Sequence, residues 1–208
     1  MKVVLFGASG MIGSRILLEL IRRRHAVTVV VRNPEKITVA GVKVVKGDVT
    51  DRAGVAAVVT GAEAVISAYS PPQQQERMLL NATQSLLAGL SEAGVKRLIV
   101  VGGAGSLEVA PGVQVVDTPN FPAEWKAIAL AHRDVLPILK ESSLDWTCLS
   151  PAGLIQPGER TGKYRLGGTN LVMDEKGESR ISAEDYAIAL VDELENPRHL
   201  RQQFTLGY

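Results

Sequence analysis

Gly7, Gly10 and Gly13 recur at every third position in Gly7-Ala8-Ser9-Gly10-Met11-Ile12-Gly13, directly after the apolar run Val3-Val4-Leu5-Phe6. Each glycine raises the entropy lost on folding, so three in seven residues ask for a steric reason. The run precedes it as a strand, and Ile12, Ile16, Leu17, Leu20 and Ile21 follow at helical spacing. A G-x-x-G-x-x-G turn between the first strand and the first helix suits a diphosphate. Gly7 permits the tight turn, Gly10 lets phosphates approach the helix start, and Gly13 lets helix and strand pack closely. Free N–H groups and the positive end of the helix dipole supply the attraction. A bare tight turn would need the same glycines, but the place of this one, first in the chain, favours a dinucleotide.

Which dinucleotide depends on the end of the second strand. An acidic side chain there would accept from a ribose 2′-OH, as NAD sites do. This chain has Arg32, nineteen residues after Gly13, with Lys36 one turn on. A guanidinium suits a 2′-phosphate through charge-assisted, often bidentate contacts, so the expectation is NADP(H) in preference to NAD(H).

The elements that must position these residues follow from periodicity. Strands are predicted at Val3–Phe6, Ala26–Val31, Val42–Lys46, Glu63–Ser67, Arg97–Val101 and Asp145–Leu149. Helices are predicted from Met11, from Asp51, over 73–93 and over Glu124–Lys140, with Pro137 expected to end or kink the last. Arg22-Arg23-Arg24 reads as a solvated helix end. VVLF, VTVVV, LIVV and WTCL are near-continuous apolar runs, the mark of strands buried on both faces of a parallel sheet. Alternating strands and helices then predict an α/β, Rossmann-type doubly wound parallel sheet in one domain spanning 1–208. After Pro151 short strands at Tyr164–Leu166, Leu171–Asp174 and Glu178–Ile181, a helix Ala183–Glu195 and a strand Gln203–Leu206 are expected to form a small cap on the substrate side.

Composition narrows the function classes. The 208 residues are 46% hydrophobic and 22% charged with a formal net charge of +1, which suits a globular domain and gives no reason to expect nucleic acid or an anionic membrane. No apolar stretch approaches a membrane span. The single cysteine, Cys148, lies in an apolar run and reads as a small buried hydrophobe. A reducing, cytoplasmic setting fits, with the protein a monomer or homodimer. Three scattered histidines and one cysteine offer no metal-ligand spacing, and no serine sits in a nucleophile elbow.

GASGMIG, VVVRNPEK at 29–36 and GDVTD at Gly47–Asp51 resemble the atypical short-chain dehydrogenase/reductase family, and within it the NAD(P)H-flavin reductases akin to biliverdin-IXβ/flavin reductase. VVGGAGSLEVAPG at Val100–Gly112 and LSPAGLIQPGERTGKYRLGG at Leu149–Gly168 are similar to the same group. The resemblance implies that Asp48 and Val49 contact adenine and that Ala68 and Tyr69 pass beside the adenosine ribose toward the nicotinamide. It implies that Gly102 and Gly103 border the cofactor and that the backbone of Pro151, Ala152, Gly153 and Leu154 orients the carboxamide. As an alternative reading of Asp48, its side chain caps the helix that follows.

One departure is informative. Most dehydrogenases of the wider family carry Tyr-x-x-x-Lys, in which the lysine lowers the tyrosine pKa for proton transfer to a substrate oxygen. Here Lys126 falls at the lysine position, but Pro122 takes the tyrosine's place, and none of Tyr69, Tyr164, Tyr186 and Tyr208 has a lysine four residues on. Hydride transfer to a flavin needs no such tyrosine. Aligning two rings alone is worth roughly 7–11 kcal/mol of barrier, and the cofactors carry the chemistry. The expected reaction passes hydride from NADPH to a planar small molecule such as FMN, FAD, riboflavin or a quinone-like compound.

Three residues stand as catalytic candidates. Lys126 would contact the nicotinamide ribose as the family lysine does, though an exposed helix also carries lysines. Ser106 would donate to substrate, or satisfy its own turn. His132 would protonate a reduced acceptor, or be a solvated helical histidine. Phe121, Trp125 and Tyr69 offer stacking surfaces. Two other functions are weighed: a redox-sensing NADP-binding regulator without turnover, which also lacks the tyrosine, and a sugar-nucleotide epimerase or dehydratase, disfavoured because the chain beyond Pro151 is short and the tyrosine is absent.

Overall fold

Strands apolar on both sides are stable only between two covering layers, and the chain builds that arrangement. The computed structural model describes residues 1–208. Its first half runs β1 (Lys2–Phe6), α1 (Met11–Arg22), β2 (Ala26–Val31), β3 (Lys43–Lys46), α2 (Arg52–Val59), β4 (Ala64–Ser67), α3 (Met78–Ala93) and β5 (Arg97–Val101). Then come β6 (Glu108–Ala110), β7 (Val113–Gln114), α4 (Ala123–Glu141), β8 (Asp145–Ser150), β9 (Leu154–Gln156), β10 (Arg165–Gly167), β11 (Arg180–Ser182), α5 (Ala183–Glu195) and β12 (Gln202–Gly207).

The main sheet has eight strands in the order β10-β12-β8-β5-β4-β1-β2-β3, all parallel except β10. Side chains alternate between two cores. Val3, Leu5, Val27 and Val29 pack under α1 and α5, while Val4, Phe6, Val65 and Leu98 pack under α2, α3 and α4. From β1 the chain moves out to β2 and β3, then returns to lay β4 on the other side of β1. That reversal opens a crevice at the carboxyl ends of β1 and β4, where open α/β sheets bind ligands.

The doubly wound sheet agrees with the sequence reading, and several boundaries differ from it. The third main-chain helix starts at Met78 rather than residue 73. Pro71-Pro72 and the left-handed Gln74 (φ 67°) hold the preceding residues in turns. Pro137 does not end α4, for the helix continues to Glu141. Pro137 is exposed, so the carbonyl left without its N–H partner, on Arg133, lies where water can serve it. No strand forms at Leu171–Asp174, where only Asn170 bridges to Glu108. Arg23 is not a freely solvated helix end. Its guanidinium joins Glu19 at 2.9 Å, Asp192 at 2.6 Å and Glu195 at 2.8 Å, tying α1 to α5.

Candidate functional site at the carboxyl edge of the sheet

The three loop glycines have different physical reasons. Gly7 takes φ +80°, and a Cβ there would fall 2.3 Å from the Ala68 carbonyl oxygen. A Cβ on Gly13 would fall 2.1 Å from the Gly7 carbonyl oxygen. Both are demanded by the protein's own packing. At Gly10 the nearest atom to a Cβ would be the Gly7 carbonyl oxygen at 3.4 Å, and nothing else lies close. Gly10 is the N-cap of α1, and the amides of Met11, Ile12 and Gly13 donate to no group in the chain. A side chain at Gly10 would fill the space these amides face. The missing side chain therefore leaves a cradle for a group from outside, and three N–H donors beside a helix N-terminus fit a diphosphate. Ala8, buried, and Ser9, exposed, complete the turn.

A crevice of about 180 Å³ extends from Gly7 and Gly10 past Arg32 to Asp48, Ala68 and Tyr69. Arg15, Arg23, Arg97, Arg133 and Arg160 are held in ion pairs with carboxylates. Arg32, exposed on the crevice wall, has no such partner. The Asp48 Oδ1 accepts from the Thr50 amide at 2.9 Å and the Thr50 hydroxyl at 2.8 Å. The amide bond above all, with the hydroxyl and the nearby Arg32 charge, holds this carboxyl below its ordinary range, while burial opposes them. Its Oδ2 stays without a partner. The α2 N-cap is Asp51, so Asp48 does not cap that helix. Val49 is buried with its side chain in the core and its backbone on the crevice. The half-buried Tyr69 phenol is raised above its usual pKa, chiefly by burial. Asn33 and Ser70 also line the crevice. The sequence reading missed them because neither residue type marks a nucleotide site by itself.

The other end of the edge, around β5 and β8, is chemically different. Ser106 is 5% exposed, its hydroxyl facing the Gly103 carbonyl at 3.4 Å and accepting from Gln203 Nε2 at 2.8 Å. The same Nε2 donates to the Ser150 hydroxyl at 2.8 Å. Gln203, which the sequence reading did not single out, thus ties the β5 loop to the end of β8. Ser106 belongs to this internal network, which corrects the expectation that it points at a substrate. Gly102 and Gly103 have packing reasons for lacking side chains. A Cβ on Gly102 would fall 2.7 Å from Cys148 Sγ, and one on Gly103 2.8 Å from His132 Cβ. Cys148 is the inert buried thiol expected, raised by burial to about 12.

His132 is partly buried on α4. Its ring packs on Gly103, its nitrogens have no partner in the chain, and desolvation pushes its pKa down to about 4. Lys126, in the first turn of α4, is exposed and makes no hydrogen bond or ion pair within the chain. Pro151 and Ala152 are buried below the edge. The Gly153 amide donates to the Ser179 hydroxyl at 2.9 Å and the Leu154 amide to the Ser179 carbonyl at 2.9 Å. Those two amides are thereby occupied within the chain, and a carboxamide would have to meet other backbone groups of this turn. Three of the four tyrosines, all but Tyr69, have their hydroxyls engaged within the chain. Tyr164 donates to Asp192 at 2.8 Å, Tyr186 to the Leu149 carbonyl at 2.6 Å, and Tyr208 to Asp185 at 2.8 Å.

An open cradle at Gly10, free amides on α1 and a crevice at the strand-order reversal define a nucleotide-binding α/β protein. The model of the NAD(P)H-binding family matches residues 7–197, and the chain belongs to that family. It is similar to the uncharacterised protein YwnB of Bacillus subtilis (strain 168), with 40% identity over 210 residues that cover 99% of this chain and 98% of the relative. Among solved structures, a Burkholderia pseudomallei protein provisionally described as exported is 52% identical with a TM-score of 0.93, over 100% of both chains. A Streptococcus pneumoniae TIGR4 protein, provisionally described as an NADH-flavin reductase, is 35% identical with a TM-score of 0.89, over 100% of this chain and 99% of that one.

Proposed function

We propose that this protein is an NADP(H)-dependent oxidoreductase of the flavin-reductase type. One observation carries the reading. A crevice rich in unpartnered donors lies beside an acceptor end whose serine and tyrosine hydroxyls are engaged within the protein. The amides of Met11, Ile12 and Gly13 would hold the diphosphate, Arg32 the 2′-phosphate and the free Asp48 Oδ2 the adenine amino group. When bound, NADPH supplies a hydride, and a flavin takes that hydride at N5 with a proton from water, so neither partner asks the protein for an acid. The chain's own contribution is position. The Gly102–Ser106 loop, pinned by Gln203, forms a rigid floor, and neutral His132 adds no charge beside it. The description of the Streptococcus pneumoniae relative, 35% identical, supports the flavin acceptor, though it names NADH as the donor. The setting we assign is the reducing cytoplasm, as the lone buried Cys148 suggests.

Oxidation of NADPH in the presence of FMN, FAD or riboflavin, with NADH as the comparison, tests the proposal. Turnover well above the rate without protein, faster with NADPH, is the expected result. Tight NADPH binding with no turnover on any of these acceptors overturns it in favour of a redox-sensing regulator, which would also do without an acid.

A further inference from the structure

The acceptor's resting place is legible in the register of α4. Strand β5 ends at the carboxyl edge, and β8 pairs with it in parallel, so the chain must return to the opposite edge between them. Helix α4 makes that return, and its first turn therefore stands at the ligand side. Ala129 and His132 face the glycine loop. A Cβ on Gly105 would fall 2.8 Å from Ala129 Cβ, as one on Gly103 would from His132 Cβ. Trp125 lies four and seven residues earlier, hence on the same helix face and about one turn nearer the mouth. Its indole stays 57% exposed, with one polar contact, Nε1 donating to Glu124 at 2.9 Å. Two other exposed apolar side chains share this edge: Met11 at the head of α1 (40%) and Leu154 just beyond β8 (49%). A large flat ring left uncovered in line with the floor of the site calls for a flat partner.

We infer that the Trp125 indole is the platform on which the isoalloxazine ring of the flavin acceptor stacks, making the first turn of α4 the acceptor half of the site. This rests on the reductase reading above, whose cofactor half is the Gly10 cradle. A planar tricycle matches the indole in shape and leaves its own polar rim to water. Trp125 is then a determinant of which acceptor is used, with no part in holding NADPH.

The chain has two tryptophans, and the other, Trp146, is 1% exposed. The difference in emission between wild type and W125F therefore isolates Trp125. With the protein saturated in NADP+, so that no turnover occurs, added FMN or riboflavin should quench that difference signal saturably. In steady state W125A should raise KM for flavin by about tenfold, the effect of losing one aromatic stack. KM for NADPH and its dissociation constant should stay as in wild type, and W125F should recover most of the loss. An unchanged flavin KM in W125A, with wild type reducing flavin normally, overturns the platform and leaves the reductase reading standing. A wild-type protein that binds NADPH yet reduces no flavin overturns both.

Discussion

The two ends of the carboxyl edge are built on opposite plans. At the β1–β4 end, donors are left free: three amides at the head of α1, the unpaired Arg32 and one open oxygen of Asp48. At the β5–β8 end, polar groups close on one another through Ser106, Gln203, Ser150 and Ser179, and the apolar side chains of Trp125 and Leu154 stand exposed. The first amides of a helix have no partner within it, and here they and Arg32 stand open on the crevice, where an anion can reach them. The second end reads as a surface for placing a ring, because it presents shape with no free acid.

Substitutions at the two ends should separate these plans. The largest effect is expected at the glycines, split by mechanism. Gly10→Leu has room in the apo protein and should keep the melting temperature, yet weaken NADPH by at least about 100-fold by covering three amides. Gly13→Ala should cost about 3 kcal/mol of stability by pressing a methyl on the Gly7 carbonyl. Calorimetric titration and thermal melts on the pair check the division, and a Gly10→Leu protein that binds NADPH normally would remove the cradle. Next, Arg32→Asp should weaken NADPH by about 1.5–3 kcal/mol and leave NADH little changed. Equal losses for both nucleotides would refute the 2′-phosphate role.

At the other end, Gln203→Leu should lower stability by about 1–2 kcal/mol, since it strips two buried serine hydroxyls of their donor. It should also raise the acceptor KM more than the NADPH KM, measured on the same preparation. A further effect concerns pH. Folded His132 titrates near 4, below its ordinary 6.5. Between these values the unfolded chain takes up a proton that the folded protein refuses, so stability falls as pH drops through that window. His132→Asn should flatten the fall in melting temperature from pH 6.5 to 4. An NMR titration of His132 with a midpoint near 6.5 would contradict the packing described for its ring.

The glycine turn and its flanking elements were readable in the chain because their information is local. Seven consecutive residues carry the turn, Arg32 directly follows β2, and Asp48 follows β3 with only Gly47 between. The acceptor end was misread for the opposite reason. Ser106 looks free beside its glycines, but the amide that claims it lies 97 residues away on β12. Gly153 and Leu154 look like open backbone until Ser179, across β9 and β11, takes their amides. Strands of two or three residues such as β6, β7 and β9 are too short for periodicity to reveal.

By itself the order of residues determined the doubly wound sheet, the place of the dinucleotide turn and the lack of a Tyr-x-x-x-Lys pair, since each depends on side chains near in the chain. Only the tertiary structure decided that Gly10 is the one loop glycine with space before it, that Ser106 is held and Arg32 is not, and that the Trp125 ring stands uncovered. Those are questions of which distant groups meet, and free space and unmet hydrogen bonds exist only once the layers have packed.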